Sequence, residues 1–144
     1  MANNRGRQLL IMMGCPRSGT TWLQAMVGAH EDVCTAGELK IFELFTRTWE
    51  DSWNTLIGAV REDRGIRRFL QWEDLRGHMI SLAETVFERM EEELGRRPVL
   101  LDKTPQYVNG VIHIADLFPE SRFIHVIRDG RDVAASLVAA SDGW

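Results

Sequence analysis

Gly14 and Gly19 frame a short loop that carries Pro16, Arg17 and Ser18 and ends on Thr20 and Thr21. The uninterrupted apolar run Leu9–Met13 precedes it, the pattern of a strand buried on both faces of a parallel sheet. Behind it, Leu23, Met26 and Val27 fall on one side of a segment, as in an amphipathic helix. Strand, glycine-bearing loop and helix start together aim several backbone N–H groups at a phosphate. Gly14, Gly19 and Thr21 match the phosphate-loop pattern G-x-x-x-x-G-K-[ST], but Thr20 stands at the lysine position and the cation is Arg17. Because that lysine neutralises the β- and γ-phosphates of a triphosphate, its loss argues for a less charged ligand.

The run Cys15-Pro16-Arg17-Ser18-Gly19-Thr20-Thr21-Trp22-Leu23 closely resembles the 5′-phosphosulfate loop of sulfotransferases that use 3′-phosphoadenosine 5′-phosphosulfate (PAPS). With arginine at position 17 it is more similar to the tyrosylprotein-type and related bacterial branches than to the cytosolic steroid and phenol enzymes. A second stretch, Arg122 to Leu137, resembles the family's 3′-phosphate motif, in which a strand-end arginine and a helical serine clamp the nucleotide's 3′-phosphate. Here these are Arg128 and Ser136. A guanidinium offers a fork of donors to phosphate oxygens, and the serine adds a hydroxyl. Taken alone, Arg128 could instead pair with Asp132, with Ser136 as a buried helical serine.

The reaction implied by the resemblance is in-line transfer of a sulfuryl group from PAPS to a hydroxyl or amine. Donor binding then falls to Pro16, Arg17, Ser18, Gly19, Thr20, Thr21 and Trp22, with Arg128 and Ser136. Arg17 is placed for the charge that develops on the leaving phosphate, and Lys103 resembles a family lysine near the transferred group. Aligned without a gap from Arg17 onward, the tyrosylprotein-type glutamate falls on Glu38, the expected general base. Lys40 then takes the place of an arginine of that branch. Glu38 also follows the second expected strand, at the edge where open α/β sheets bind ligands; a helix-capping carboxylate is the bland alternative. The cytosolic enzymes use a histidine after a lysine and a small hydroxyl residue, where this chain has Lys103-Thr104-Pro105. A sulfuryl group carries less charge than a phosphoryl group, so no metal is expected, although Leu100-Leu101-Asp102 has a passing likeness to a metal-binding strand end.

The elements that must hold these residues read as alternating strands and helices. Val33–Ala36, Val99–Leu101 and Phe123–Ile127 are further strand candidates. Helices are expected from Thr20, from Ser81 (with Glu84 as a capping box) to Gly95, from Pro105 to Leu117 with Val108, Val111, Ile112 and Ala115 inward, and over Asp132–Ala140. This predicts an α/β fold, P-loop-like, of three α/β/α layers around a mostly parallel sheet. Trp49, Trp53 and Trp72 are expected in helix packing, His125 as a core histidine, and Cys15 and Cys34 as buried thiols.

The chain of 144 residues suits one domain, here all of residues 1–144. With 44% apolar and 26% charged residues and a net charge of −4, it is an ordinary globular composition without a nucleic-acid-binding stripe. The arginines of 61–68 alternate with acids and read as a solvated face. There is no apolar run of membrane-spanning length and no signal-peptide pattern, so a cytoplasmic location is expected. The resemblance stops short of the family's C-terminal part, so the domain is expected to be partial, with an exposed sheet edge open to self-association. Weak PAPS binding and poor turnover of the isolated chain follow. The competing readings are a catalytically incomplete nucleotide-binding module and a P-loop kinase using ATP and Mg²⁺. The acceptor stays open among small molecule, glycan, lipid and peptide.

Overall fold

A computed structural model describes residues 7–57, 61 and 64–141, without the side chains at 46, 47, 50 and 56. Its centre is a parallel sheet of strands β1 (Gln8–Gly14), β2 (Val33–Thr35), β3 (Val99–Lys103) and β4 (Arg122–Val126), in the order β2-β3-β1-β4. All three pairings are parallel, with Met12 opposite Lys103 and Gly14 opposite Val126. The expected α/β architecture with a parallel sheet is thus the one observed. Central position explains the composition of β1: Ile11 and Met12 are fully buried, because neighbouring strands occupy both sides and helices both faces.

Crossovers from β1 to β2 and from β3 to β4 run in opposite directions along the sheet, which places their helices on opposite faces. One crossover uses α1 (Thr20–Gly28), whose buried Gln24 donates from Nε2 to Thr35 Oγ1 at 2.9 Å and fastens the helix to the end of β2. The other face carries the main core. There Leu9, Ile11, Met13 and Leu100 meet α3 (Trp72–Leu94) and α4 (Val111–Leu117) through Met79, Phe87, Ile114 and Leu117. A short helix α2 (Ile41–Leu44) continues into π-helical turns at Phe45–Glu50 and Trp53–Ile57. It delivers Phe42 into an aromatic cluster with Phe45, Phe87, Tyr107 and Phe118, ring centroids 5.2–6.3 Å away. Trp53 stacks near Trp72 at 5.8 Å, and Trp49 packs on Phe45, so these tryptophans serve packing as expected. At the far end of the sheet, buried Arg7 bonds Glu84 and Glu91 and locks α3 to the start of β1.

Several sequence expectations need correction. Helix α3 starts at Trp72, not Ser81: Gln71 and Asp74 form its capping box, and the Ser81 hydroxyl donates to the Gly77 carbonyl in mid-helix. The Ser81/Glu84 spacing fits a cap, but propensity upstream of it sustains the helix. Gly95 terminates it as expected, at φ 90°. Pro105 opens a 3₁₀ turn, Pro105–Asn109, before α4, and Ile112 faces solvent rather than the core. His125 is exposed because β4 is an edge strand. Of the two cysteines only Cys34 is buried; Cys15 sits exposed in the loop after β1. Burial pushes the Cys34 thiol above its usual range, and nearby Glu91 adds to this. In 61–68, Arg61, Arg64 and Arg68 are exposed; residues 62 and 63 lie outside the described part.

Gly14 sits opposite Val126 on β4. A β-carbon there would stand 2.5 Å from the Val126 carbonyl oxygen, so Gly14→Ala must push the two strands apart. The expected cost is about 1–3 kcal/mol, read as a lowered melting temperature; an unchanged melting temperature would mean that the strands part freely.

Candidate functional site

Every expected donor-binding element converges on the C-terminal edge of the sheet. After Gly14 the chain turns back on itself, with the Ser18 N–H donating to the Cys15 carbonyl at 3.1 Å. Arg17 at φ 70° and Gly19 at φ 93° are both left-handed, and such alternation turns successive N–H groups into a common concavity. Arg17 holds a conformation uncommon for a residue with a side chain, and such strain collects at ligand sites. Gly19 leads directly into α1, so the helix N-terminus faces the same space.

A cavity of about 440 Å³ opens there, lined by Pro16, Arg17, Gly19, Thr20, Thr21, Trp22, Glu38, Pro105, Gln106, Arg128 and Ser136. Its wall thus unites residues from both ends of the chain, and Glu38 is its one carboxylate among two guanidiniums. Ser18 is buried within the turn rather than in the wall.

Across the mouth, Arg17 Nε donates to Ser136 Oγ at 3.1 Å, and Arg128 donates from one terminal nitrogen to the Arg17 carbonyl at 3.1 Å. Ser136 lies on α5 (Gly130–Ser141), which follows β4. The alternative pairing of Arg128 with Asp132 exists only as a long contact of 3.8 Å between largely exposed groups. Pairs of that kind contribute little, so Arg128 is available to an anion. Asp129, beside it, is instead engaged by Arg131, which holds its carboxyl below the usual range.

On the opposite wall, Lys103 Nζ donates to Glu38 Oε1 at 2.9 Å and to Thr21 Oγ1 at 3.2 Å. The lysine side chain is only 3% exposed, while Glu38 remains 32% exposed toward the cavity. Lys40 Nζ stands 3.8 Å from the other carboxylate oxygen. Lys103 is therefore not part of the cavity surface itself; it lies behind Thr21 and Glu38 and fixes both.

Sequence reasoning missed the support under this pair. Asp102 and Thr104 flank Lys103 on β3 and its extension, both are fully buried, and both face Tyr107. Tyr107 donates its hydroxyl to Asp102 Oδ2 at 2.8 Å. Thr104 Oγ1 accepts the Lys40 backbone N–H at 3.3 Å, and the Leu39 N–H favours the Asp102 anion. Burial dominates all the same and pushes Asp102 up to about 7. Desolvation likewise raises the Tyr107 phenol far above its usual range. The Asp102 signal was visible, since it ends an apolar strand, but its buried partners were not readable from spacing.

A second cavity of about 290 Å³ lies between the helical run after Lys40 and the Pro105 turn, with Glu43, Asp51, Asn54 and His113 in its wall. Gln106 lines both cavities. Among the described residues, no group of three or more His, Cys, Asp and Glu could hold a metal ion. No described helix is long and apolar enough to cross a membrane.

Comparison with known proteins identifies the family. A model of the sulfotransferase family matches residues 10–143. Protein-tyrosine sulfotransferase A of Caenorhabditis elegans is 27% identical over 144 residues, covering 94% of this chain and 34% of that protein. Protein-tyrosine sulfotransferase of Drosophila melanogaster is 26% identical over 137 residues, covering 94% of this chain and 26% of the relative. Protein-tyrosine sulfotransferase 1 of Homo sapiens is 24% identical over 141 residues, covering 96% and 36%. The chain thus spans about a quarter to a little over a third of these relatives' length. With a glycine-bearing loop between its central strand and the first helix, a parallel sheet and a family match along nearly its whole length, the chain belongs to the sulfotransferase family.

Proposed function

We propose that this chain carries the donor site and general base of a PAPS-dependent sulfotransferase, acting by in-line displacement on an acceptor hydroxyl. The observation that carries the reading is one cavity in which Arg17, Arg128 and Ser136 face the Glu38–Lys103–Thr21 cluster. An anion held by the loop N–H groups, Thr20 and Thr21 has its sulfur end near Glu38 and its 3′-phosphate near Arg128 and Ser136. Glu38 takes the acceptor proton as the acceptor oxygen bonds to sulfur. The bond from sulfur to the bridging oxygen breaks, and Arg17 with Lys103 stabilises the charge left on the phosphate.

Lys103 Nζ donates to Glu38 Oε1 at 2.9 Å, so the proposed base and the cation that assists the leaving group are in direct contact. The Lys103 ammonium has three N–H donors and uses two on Glu38 and Thr21, which leaves the third for the phosphosulfate while both partners keep it in place. A tyrosine hydroxyl is the first acceptor to try, since the relatives above are named for it; an amine is the second.

Adenosine 3′,5′-bisphosphate, the product nucleotide, tests the donor site without an acceptor. At about a hundredfold excess over its Kd it contributes about 2.7 kcal/mol and raises the melting temperature by roughly 5–10 °C. Arg128→Ala is expected to weaken binding by about 10- to 150-fold, the loss of a charged hydrogen-bond donor. Stabilisation by ATP with Mg²⁺ but not by the bisphosphate would replace this reading with a kinase.

A further inference from the structure

The sequence singled out Asp102, yet the donor chemistry leaves it without a task. It is wholly enclosed, and one of its oxygens, Oδ1, receives no full hydrogen bond from any protein group. An isolated carboxylate in such a place is costly, and the arrangement around it has a direction. The Lys40 N–H donates to Thr104 Oγ1, the Thr104 hydroxyl serves Tyr107, and the Tyr107 hydroxyl donates to Asp102 Oδ2. The Leu39 N–H approaches the same carboxylate. The amides of Leu39 and Lys40 immediately follow Glu38, and Lys40 is held in a left-handed conformation at φ 57° that a residue with a side chain adopts only under constraint. The backbone that carries the proposed base is thus pinned from behind by two side chains of one strand end.

We propose that Asp102 is a positioning residue: through Tyr107, Thr104 and the Leu39 and Lys40 amides, its charge holds the Gly37–Lys40 loop so that Glu38 reaches Lys103 and the cavity. The proposal deepens the sulfotransferase reading and rests on Glu38 being the base. All donors in the chain point toward the carboxylate, so its ionised form aligns them and its protonated form releases them. The charged groups that bear on Asp102 are Lys103 on its own strand, which favours the anion, and Glu38, which opposes it; Tyr107 is the titratable group on the packed turn. Burial sets the balance near neutrality, at about 7. The loop is therefore held firmly above that pH and loosened below it. The stability consequence runs the other way. A carboxyl raised from its ordinary value binds its proton more tightly when folded, so its contribution falls as pH rises from about 4 to about 7.

The test needs no turnover. In ¹⁵N-labelled full chain, the protection factors of Leu39 and Lys40 amides (exchange corrected for intrinsic pH dependence) are followed from pH 5.5 to 8.5, for the wild type and for Asp102→Asn. Protection is expected to rise severalfold through about pH 7 in the wild type and to stay flat and low in Asp102→Asn. Tyr107→Phe should lower it at high pH. Identical, pH-independent protection in wild type and Asp102→Asn would overturn the proposal. Should Asp102→Asn fail to fold, the Asp102 carboxyl ¹³C shift and the Leu39 and Lys40 amide shifts of the wild type are titrated together. A shared midpoint supports the coupling, and amide shifts indifferent to the carboxyl midpoint refute it. Failure of the bisphosphate to bind would strike the functional reading alone, because these measurements are made without ligand.

Discussion

Glu38→Gln is expected to lower the rate of sulfuryl transfer by about 10²–10⁴-fold, the usual worth of a positioned general base. The rate is read in a single turnover, as adenosine 3′,5′-bisphosphate formed from PAPS with a tyrosyl peptide. Binding of the bisphosphate should change little, since that nucleotide lacks the sulfuryl group that Glu38 is proposed to face. The amide keeps a carbonyl oxygen for the Lys103 ammonium, so one charged hydrogen bond becomes a charge–neutral one. The folded state should then lose only about 1 kcal/mol. Glutamine is therefore a sharper probe than alanine, which would leave a nearly enclosed ammonium facing a void. Unchanged turnover in Glu38→Gln, with binding intact, would remove Glu38 as base and return it to the role of a partner for Lys103.

Much of this site was readable because its parts are local. The strand–loop–helix order of Leu9–Leu23 specifies its own geometry, with Gly14 and Gly19 standing where close approach to Val126 and a positive φ are needed. Arg128 and Ser136 were separable from a plain helix start only by their likeness to a known motif. Structure adds that Ser136 is reached by Arg17 across the cavity. What failed was mostly set by tertiary environment. His125 alternates with apolar neighbours and reads as core, but a strand's rank in the sheet decides its exposure, and β4 lies at the edge. Ile112 fits a continuous helix from Pro105, yet the chain spends Pro105–Asn109 in a tighter 3₁₀ turn and thereby rotates the face of α4. Ser81 looks like a cap and points to a late start for α3, whereas Gln71 with Asp74 does the capping. Asp102, Thr104 and Tyr107 form a partnership within six positions, but no spacing rule distinguishes it from an apolar strand followed by a proline turn.

Lys103→Met separates a structural lysine from one that acts on the transition state. Methionine is of similar length, fills the space without leaving a void, and removes only the ammonium. Since Glu38 is about a third exposed, its carboxylate can take water in place of Lys103, and Lys40 at 3.8 Å remains nearby. Removing a buried charge also removes its desolvation cost, so stability should move by no more than about 1 kcal/mol in either direction. The rate is another matter. A preorganised donor aimed at developing charge is worth roughly 10²–10³-fold, and Lys103 is preorganised by its burial at 3% exposure and by its two fixed partners. The expected variant is thus folded, binds the bisphosphate within a few-fold of wild type, and transfers sulfuryl groups a hundredfold or more slowly. A large fall in melting temperature with transfer unimpaired would make Lys103 a tether for the Glu38 loop and leave charge stabilisation to Arg17 alone. Loss of both rate and product binding would place the lysine on the nucleotide's phosphate rather than on the migrating group, because only an interaction strengthened in the transition state can change rate without changing affinity.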